Sequence, residues 1–132
     1  MTIQYSTTLR NNKLDQIEST IGASALMYIR TGAQPANCAA ADSGSLLATI
    51  TLPSDWMAAA ASGSKAKSGT WSTTATGAGT AAHFRIKDSG GTTCHMQGSI
   101  GQGSGDLSLD NAVIAVSQTI TINTFTITDN NP

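Results

Sequence analysis

A mainly β fold, one β-sandwich or jelly-roll domain with a single N-terminal α-helix, is what this 132-residue chain predicts. Three observations lead there. Short Thr-rich runs alternate apolar and polar residues with period two, the pattern of half-buried strands. Gly, Pro, Asn and Asp turns cut the chain into six or seven such runs, the spacing of a sandwich or jelly roll. Helical period is convincing in only one segment, near the N-terminus. The helix is expected at about 7–21, the sandwich at about 24–128 and a frayed tail at 129–132, all within one domain spanning 1–132.

The helix is signalled by Ser6, Thr7 and Thr8, whose hydroxyls can cap a first turn. Leu14, Ile17 and Ile21 then form one apolar stripe, with Lys13, Asp15, Gln16 and Glu18 off it, and Gly22 suits the C-terminal cap. Period two follows. Ala25 to Arg30 reads as a strand apolar on both faces, and Gln34 to Gly44 as a loop. Leu46 to Leu52 is a second strand, stopped by Pro53. Ser54 to Ala61 reads as a short helix capped by Ser54 or Asp55, and Lys65 to Gly79 as a long loop or weak edge strand around Trp71.

In the next hairpin His83, Arg85 and Lys87 fall on an outer face, opposite Phe84 and Ile86. Asp88-Ser89-Gly90-Gly91 turns the chain, and Thr92 to Ile100 returns with Cys94, Met96 and Ile100 on one face and His95, Gln97 and Ser99 on the other. Gly101 to Gly105 reads as a flexible turn before Leu107 and Leu109. Asp110-Asn111 turns again before Val113, Ile114 and Val116. In Thr119 to Thr128, Ile120 and Ile122 have one parity and Phe125 and Ile127 the other, which calls for a bulge or a sheet-crossing bend near Asn123-Thr124.

Composition narrows the function classes. Only 11% of residues are charged, against about 25% in an ordinary soluble domain. Net charge is -1, with no basic stripe, so specific nucleic-acid binding is not expected. Hydrophobic residues make up 39%, enough for an ordered core. At 5% aromatics, that core is expected to rest on Leu, Ile, Val, Ala and Met. No stretch approaches the roughly 20 apolar residues of a membrane helix. The start MTIQYSTTLR has no basic-then-apolar signal, so synthesis in a cytosol is expected, with Cys38 and Cys94 as thiols.

No catalytic, cofactor or metal site is expected. Cys94 and His95 are strand neighbours pointing to opposite faces, poor geometry for a metal or a nucleophile–base pair. No Cys-x-x-Cys spacing marks a zinc site. Gly101-Gln102-Gly103-Ser104-Gly105 lacks the Lys-Ser/Thr ending of a phosphate cradle. The acids are mostly placed at turns or on the helix, where they serve structure. An enzyme is therefore not expected. The candidate interface anchors are Trp56 and Trp71, since Trp is enriched in interface hot spots, together with the helix stripe Leu14, Ile17 and Ile21. For each, packing within the chain is the competing reading.

Several stretches taken together carry a resemblance: Tyr5 to Gly22, Ile29 to Cys38, Leu47 to Trp56, Gly79 to Asp88 and Leu107 to Asn111. In these the chain resembles small virion-associated proteins of tailed bacteriophages and is similar in kind to the jelly-roll cement proteins that seal some capsids. The resemblance implies a capsid decoration protein on the virion surface, assembled in the host cytoplasm. Its implied partners are the major capsid protein and a second copy of itself, a dimer suiting two-fold positions of a shell. A tail, neck or head–tail ring component is the alternative, as is a tail-tip receptor- or carbohydrate-binding sandwich. The latter would display aromatics beside polar groups.

Overall fold

The structure is a computed structural model and describes residues 2–131. The chain is mainly β with one N-terminal helix. Helix α1 spans Thr7–Ile21. The strands follow as β1 Leu26–Arg30, β2 Leu46–Thr51, β3 Ser64–Ala66, β4 Trp71–Thr74, β5 Gly79–Thr80, β6 His83–Lys87, β7 Cys94–Gln102, β8 Leu107–Leu109, β9 Val113–Ile114, β10 Thr119–Ile122 and β11 Thr126–Thr128.

One layer is a five-stranded sheet in the order β2-β1-β6-β7-β8. The other is assembled from two-stranded antiparallel ribbons, β10-β4, β11-β3 and β5-β9. Between them lies a continuous apolar core that includes Met27, Ile29, Ile50, Ile86, Ile100, Ile114, Ile120 and Ile122. A file of aromatics crosses it. Trp56 and Trp71 are 6.0 Å apart between ring centroids, Trp71 and Phe125 5.5 Å, and Phe125 meets Phe84 edge-on at 5.6 Å. Tilted and edge-on pairs are the arrangements that the ring quadrupoles favour. Gly98 makes room for Phe84, since a Cβ there would sit 2.7 Å from the Phe84 ring. Both Trp and both Phe are therefore core residues, whereas Val113 and Val116 are exposed. The expectation of an aliphatic, valine-containing core is corrected: six aromatics are few, but four of them are large enough to span the gap between layers.

The helix begins and ends where its caps dictate. Ser6 Oγ accepts from Leu9 N at 3.1 Å, and Gly22, at φ 92°, donates its N–H to Glu18 O at 2.8 Å. Leu14 and Ile21 are buried and Ile17 half-buried. A second, polar stripe also docks. Asn11, Asp15 and Glu18 accept the backbone N–H groups of Gly63, Ala60 and Met57 at 2.9, 2.8 and 3.1 Å. That stripe is why residues 54–61 are not helical. Their amide groups are already taken by helix carboxylates and by β3, to which Ala58 donates through Ala66 O. Trp56 and Met57 are both fully buried, which an extended segment lying between α1 and β3 permits.

Three further expectations change. Of the long loop or weak edge strand expected at 65–79, the strand reading is nearer, but the segment forms three short strands, β3, β4 and the start of β5. The tail is tied down through Asp129: its N–H donates to Gly63 O, its carbonyl accepts from Arg10, and its carboxylate pairs with Lys13 at 2.8 Å. Asn131 Oδ1 accepts from Tyr5 N, and Pro132 lies outside the described residues. Finally, Gly101 and Gln102 complete β7, and only residues 103–106 form the connection, a tight coil. It lets β8 pair parallel with the end of β7, Ile100 opposite Leu107, through a connection far shorter than the dozen or so residues parallel strands usually need. Gly105, at φ 81°, is required there, because a Cβ would lie 2.9 Å from Gly101 N. Asp106 closes the coil by accepting from Ser99 N and Oγ at 2.9 and 3.0 Å.

The break near Asn123-Thr124 is present. The two halves of the last run leave one ribbon for another, so Ile120, Ile122 and Phe125 are all buried despite opposite parity.

Candidate interaction surface

The candidate anchors fall inside the fold. Trp56 and Trp71 are 0% exposed, and their indole N–H groups donate inward to Gly22 O and Ser68 O at 3.0 Å each. Leu14 and Ile21 are buried. Ile17 borders a groove with Lys13, Gln16, Thr20 and His95. Of the two readings open for the two Trp, Leu14 and Ile21, the structure shows packing within the chain. Local sequence shows that such side chains seek burial but not whether their own chain supplies it.

For His83 and Arg85 the expectation is corrected. The face of β6 that carries them is covered by loop 32–42, leaving them 0% and 1% exposed. Arg85 Nη1 donates to Ala40 O and Asp42 Oδ1, and Nη2 to Asn37 O and Cys38 O, at 2.6–3.2 Å. His83 Nδ1 meets Gly32 O at 2.9 Å, and Gln97 donates to Pro35 O at 2.8 Å. Lys87 pairs with the other Asp42 oxygen at 2.8 Å. The Lys87 hydrogen bond, with Arg85 adding to it, holds the Asp42 carboxyl below the usual carboxylate range against the opposing pull of burial.

Cys94 belongs to this layer too. Lys87 pairs with Cys94 but Ile86 pairs with Met96, so His95 is bulged out and Cys94 shares a face with Lys87 rather than with Met96. The register also separates the histidines, since His83 lies opposite Ser99.

A second charge cluster ties the helix to the ribbons. Lys65 is 2% exposed, with its Nζ 2.8 Å from Asp15 and 3.2 Å from Glu18. Burial opposes the Lys65 charge, but these hydrogen bonds outweigh it and keep its pKa above the ordinary lysine value. The other cations are equally engaged. Arg10 and Lys13 hold Asp129, Arg30 donates to Ser43 O and Gly44 O, and Lys67 donates to Gly69 O. Every one of the seven Lys and Arg side chains therefore bonds within the chain. Asp88 and Asp106 likewise accept from the turns they sit in.

What remains outward on the ribbon strands β4, β10 and β11 is mostly Ser and Thr, with Asp110 the nearby charge, in a recess beside Thr119 and Thr121. On β4 and β10, Ser72 faces Thr121 and Thr74 faces Thr119, with Ser72 Oγ and Thr121 Oγ1 3.0 Å apart. Thr126 and Thr128 repeat the pattern on β11. Exposed Leu46, Val113 and Val116 border the same rim, where Thr76 and Gly77 donate to Leu47 O and Ser117 donates to Ala75 O. Outward Thr and Ser on weakly charged strand faces were readable from the sequence, whereas the pairing that gathers them into one surface was not. The readable signal was the Thr-Ile-Thr spacing at 119–121 and 126–128. Among the described residues no three His, Cys, Asp or Glu side chains are grouped to hold a metal ion, and no helix is long and apolar enough to cross a membrane. No family model, no curated protein and no solved structure matches the chain.

Proposed function

We propose that this protein is a structural component of a tailed-phage virion, a cement or decoration protein that lays its weakly charged ribbon face on the major capsid protein. The observation that carries the reading is the division of labour among its polar groups: the cations are used inside the chain, and the β4/β10 strands present Ser and Thr beside a rim of Leu46, Val113 and Val116, with Asp110 at the edge. Such a face is inexpensive to desolvate, and charged groups are depleted at interface cores. With both Trp and both Phe in the core, the carbohydrate-binding alternative is left with Tyr5 and half-buried Tyr28 as its aromatics. A second copy seated across a two-fold axis would let one pair bridge adjacent capsomers.

The test is location and dependence on the face. The purified protein is mixed with emptied, washed heads and, separately, with isolated tails, and each is sedimented. Cosedimentation with heads at high copy number is expected, and binding to tails alone overturns the reading. Thr121→Lys places a charge at the centre of the face. It is expected to change stability by no more than about 0.5 kcal/mol and to weaken head binding at least tenfold. Unchanged head binding would move the contact elsewhere on the surface.

A further inference from the structure

Cys38 and Cys94 are 56 positions apart in sequence, yet loop 32–42 brings them to one pocket of ≈ 220 Å³, shared with Asp42, Arg85, Lys87 and Thr92. Cys38 is held through its carbonyl, which accepts from Arg85 Nη2 at 2.9 Å. Cys94 is turned to the same side by the bulge at His95, with its Sγ donating to Met96 O at 3.4 Å. Both cysteines line that pocket beside Arg85, with Cys38 close enough to Cys94 to act on its titration. Both cysteines are half-buried and remain thiols in this structure.

We infer that Cys38 and Cys94 form a modification site, an intramolecular disulfide that closes when the protein meets a low-molecular-weight disulfide such as glutathione disulfide. Either cysteine thiolate attacks a glutathione sulfur, forming a mixed disulfide and expelling one glutathione thiolate. The second cysteine thiolate then attacks the protein sulfur of that mixed disulfide, forming the Cys38–Cys94 bond and expelling the second glutathione. The two protein thiols give up two electrons and two protons, and glutathione disulfide becomes two glutathione thiols. Burial, with Cys38 adding to it, pushes the Cys94 thiol above its ordinary value of 9.0 although Arg85 pulls the other way. Exchange is therefore slow near neutral pH and speeds up as pH rises. The bond would fasten segment 37–42 over Arg85 and constrain a long loop of the unfolded chain. The inference is independent of the virion reading.

The purified full chain is incubated with glutathione disulfide at mildly alkaline pH and then digested without reductant. The expected result is an intact mass lower by about 2 Da, a joined peptide pair containing Cys38 and Cys94, and a Tm raised on the order of 10 °C, all reversed by dithiothreitol. Cys38→Ser and Cys94→Ser should each stop at a single glutathione adduct, with reduced-state Tm values showing that they fold. Persistent glutathione adducts on both cysteines of the unsubstituted protein, or bridges between chains, would overturn the inference.

Discussion

The inner face of the five-stranded sheet and the part of its outer face around His83 and Arg85 are both buried, but by different physics. The inner face packs Met27, Ile29, Phe84 and Ile86 against ribbon side chains such as Trp71, where contact is non-directional and depends on filled volume. That part of the outer face is closed by loop 32–42 through directional bonds, most of them centred on Arg85. Three polar atoms on that outer face, His83 Nε2, Arg85 Nε and Gln97 Oε1, have no protein partner. The difference teaches that burial alone does not identify a core. The apolar face carries global stability, while the polar face fixes one loop and depends on a single guanidinium.

The comparison breaks most severely at Trp71. Trp71→Ala empties the centre of the aromatic file and should cost about 3–5 kcal/mol, read as a lower urea midpoint for the whole molecule. Next comes Arg85→Met, which keeps apolar bulk but strips Asp42 and the Asn37, Cys38 and Ala40 carbonyls of their donor. A loss of roughly 2–3 kcal/mol is expected, moderated because Asp42 retains Lys87 and is 30% exposed. Hydrogen exchange should separate the two faces. In Arg85→Met, amides in 33–42 should exchange faster, while those of Met27 and Ile29 follow only the change in global stability. Equal acceleration everywhere would mean that the faces are not separable.

The smallest effect is in pH. Asp42 has a folded-state pKa below its ordinary 3.8, so its contribution is fully present above 3.8 and is lost as pH falls through the folded value. Asp15, held low first by Lys65 and then by Ala60 N–H, acts in the same direction at the helix. Stability against urea should therefore drop below about pH 4, and Asp42→Asn should shrink the drop without abolishing it.

Much of the architecture is local and was legible. The helix needed only Ser6, one apolar stripe and Gly22, because caps and period act within a few residues. The turn at Asp88–Gly91 and the break after Ile122 were equally readable, since turn chemistry and side-chain parity are written along the chain. The candidate surface was less legible. The Thr-Ile-Thr runs announced outward hydroxyls, but Trp56 and Trp71 looked equally suited to a partner or to a core.

Sequence by itself thus determined the mainly β class, the helix and most strand positions, because propensity, capping and period are short-range. Only the tertiary structure decided where the charges went. Asp15 and Glu18 meet Lys65, and Arg85 meets Asp42, across separations that no local pattern encodes. The bulge at His95 also depended on pairing with β6, and it turned Cys94 toward Cys38. Burial and ion pairing are properties of what lies opposite a residue, and only the folded chain supplies the opposite side.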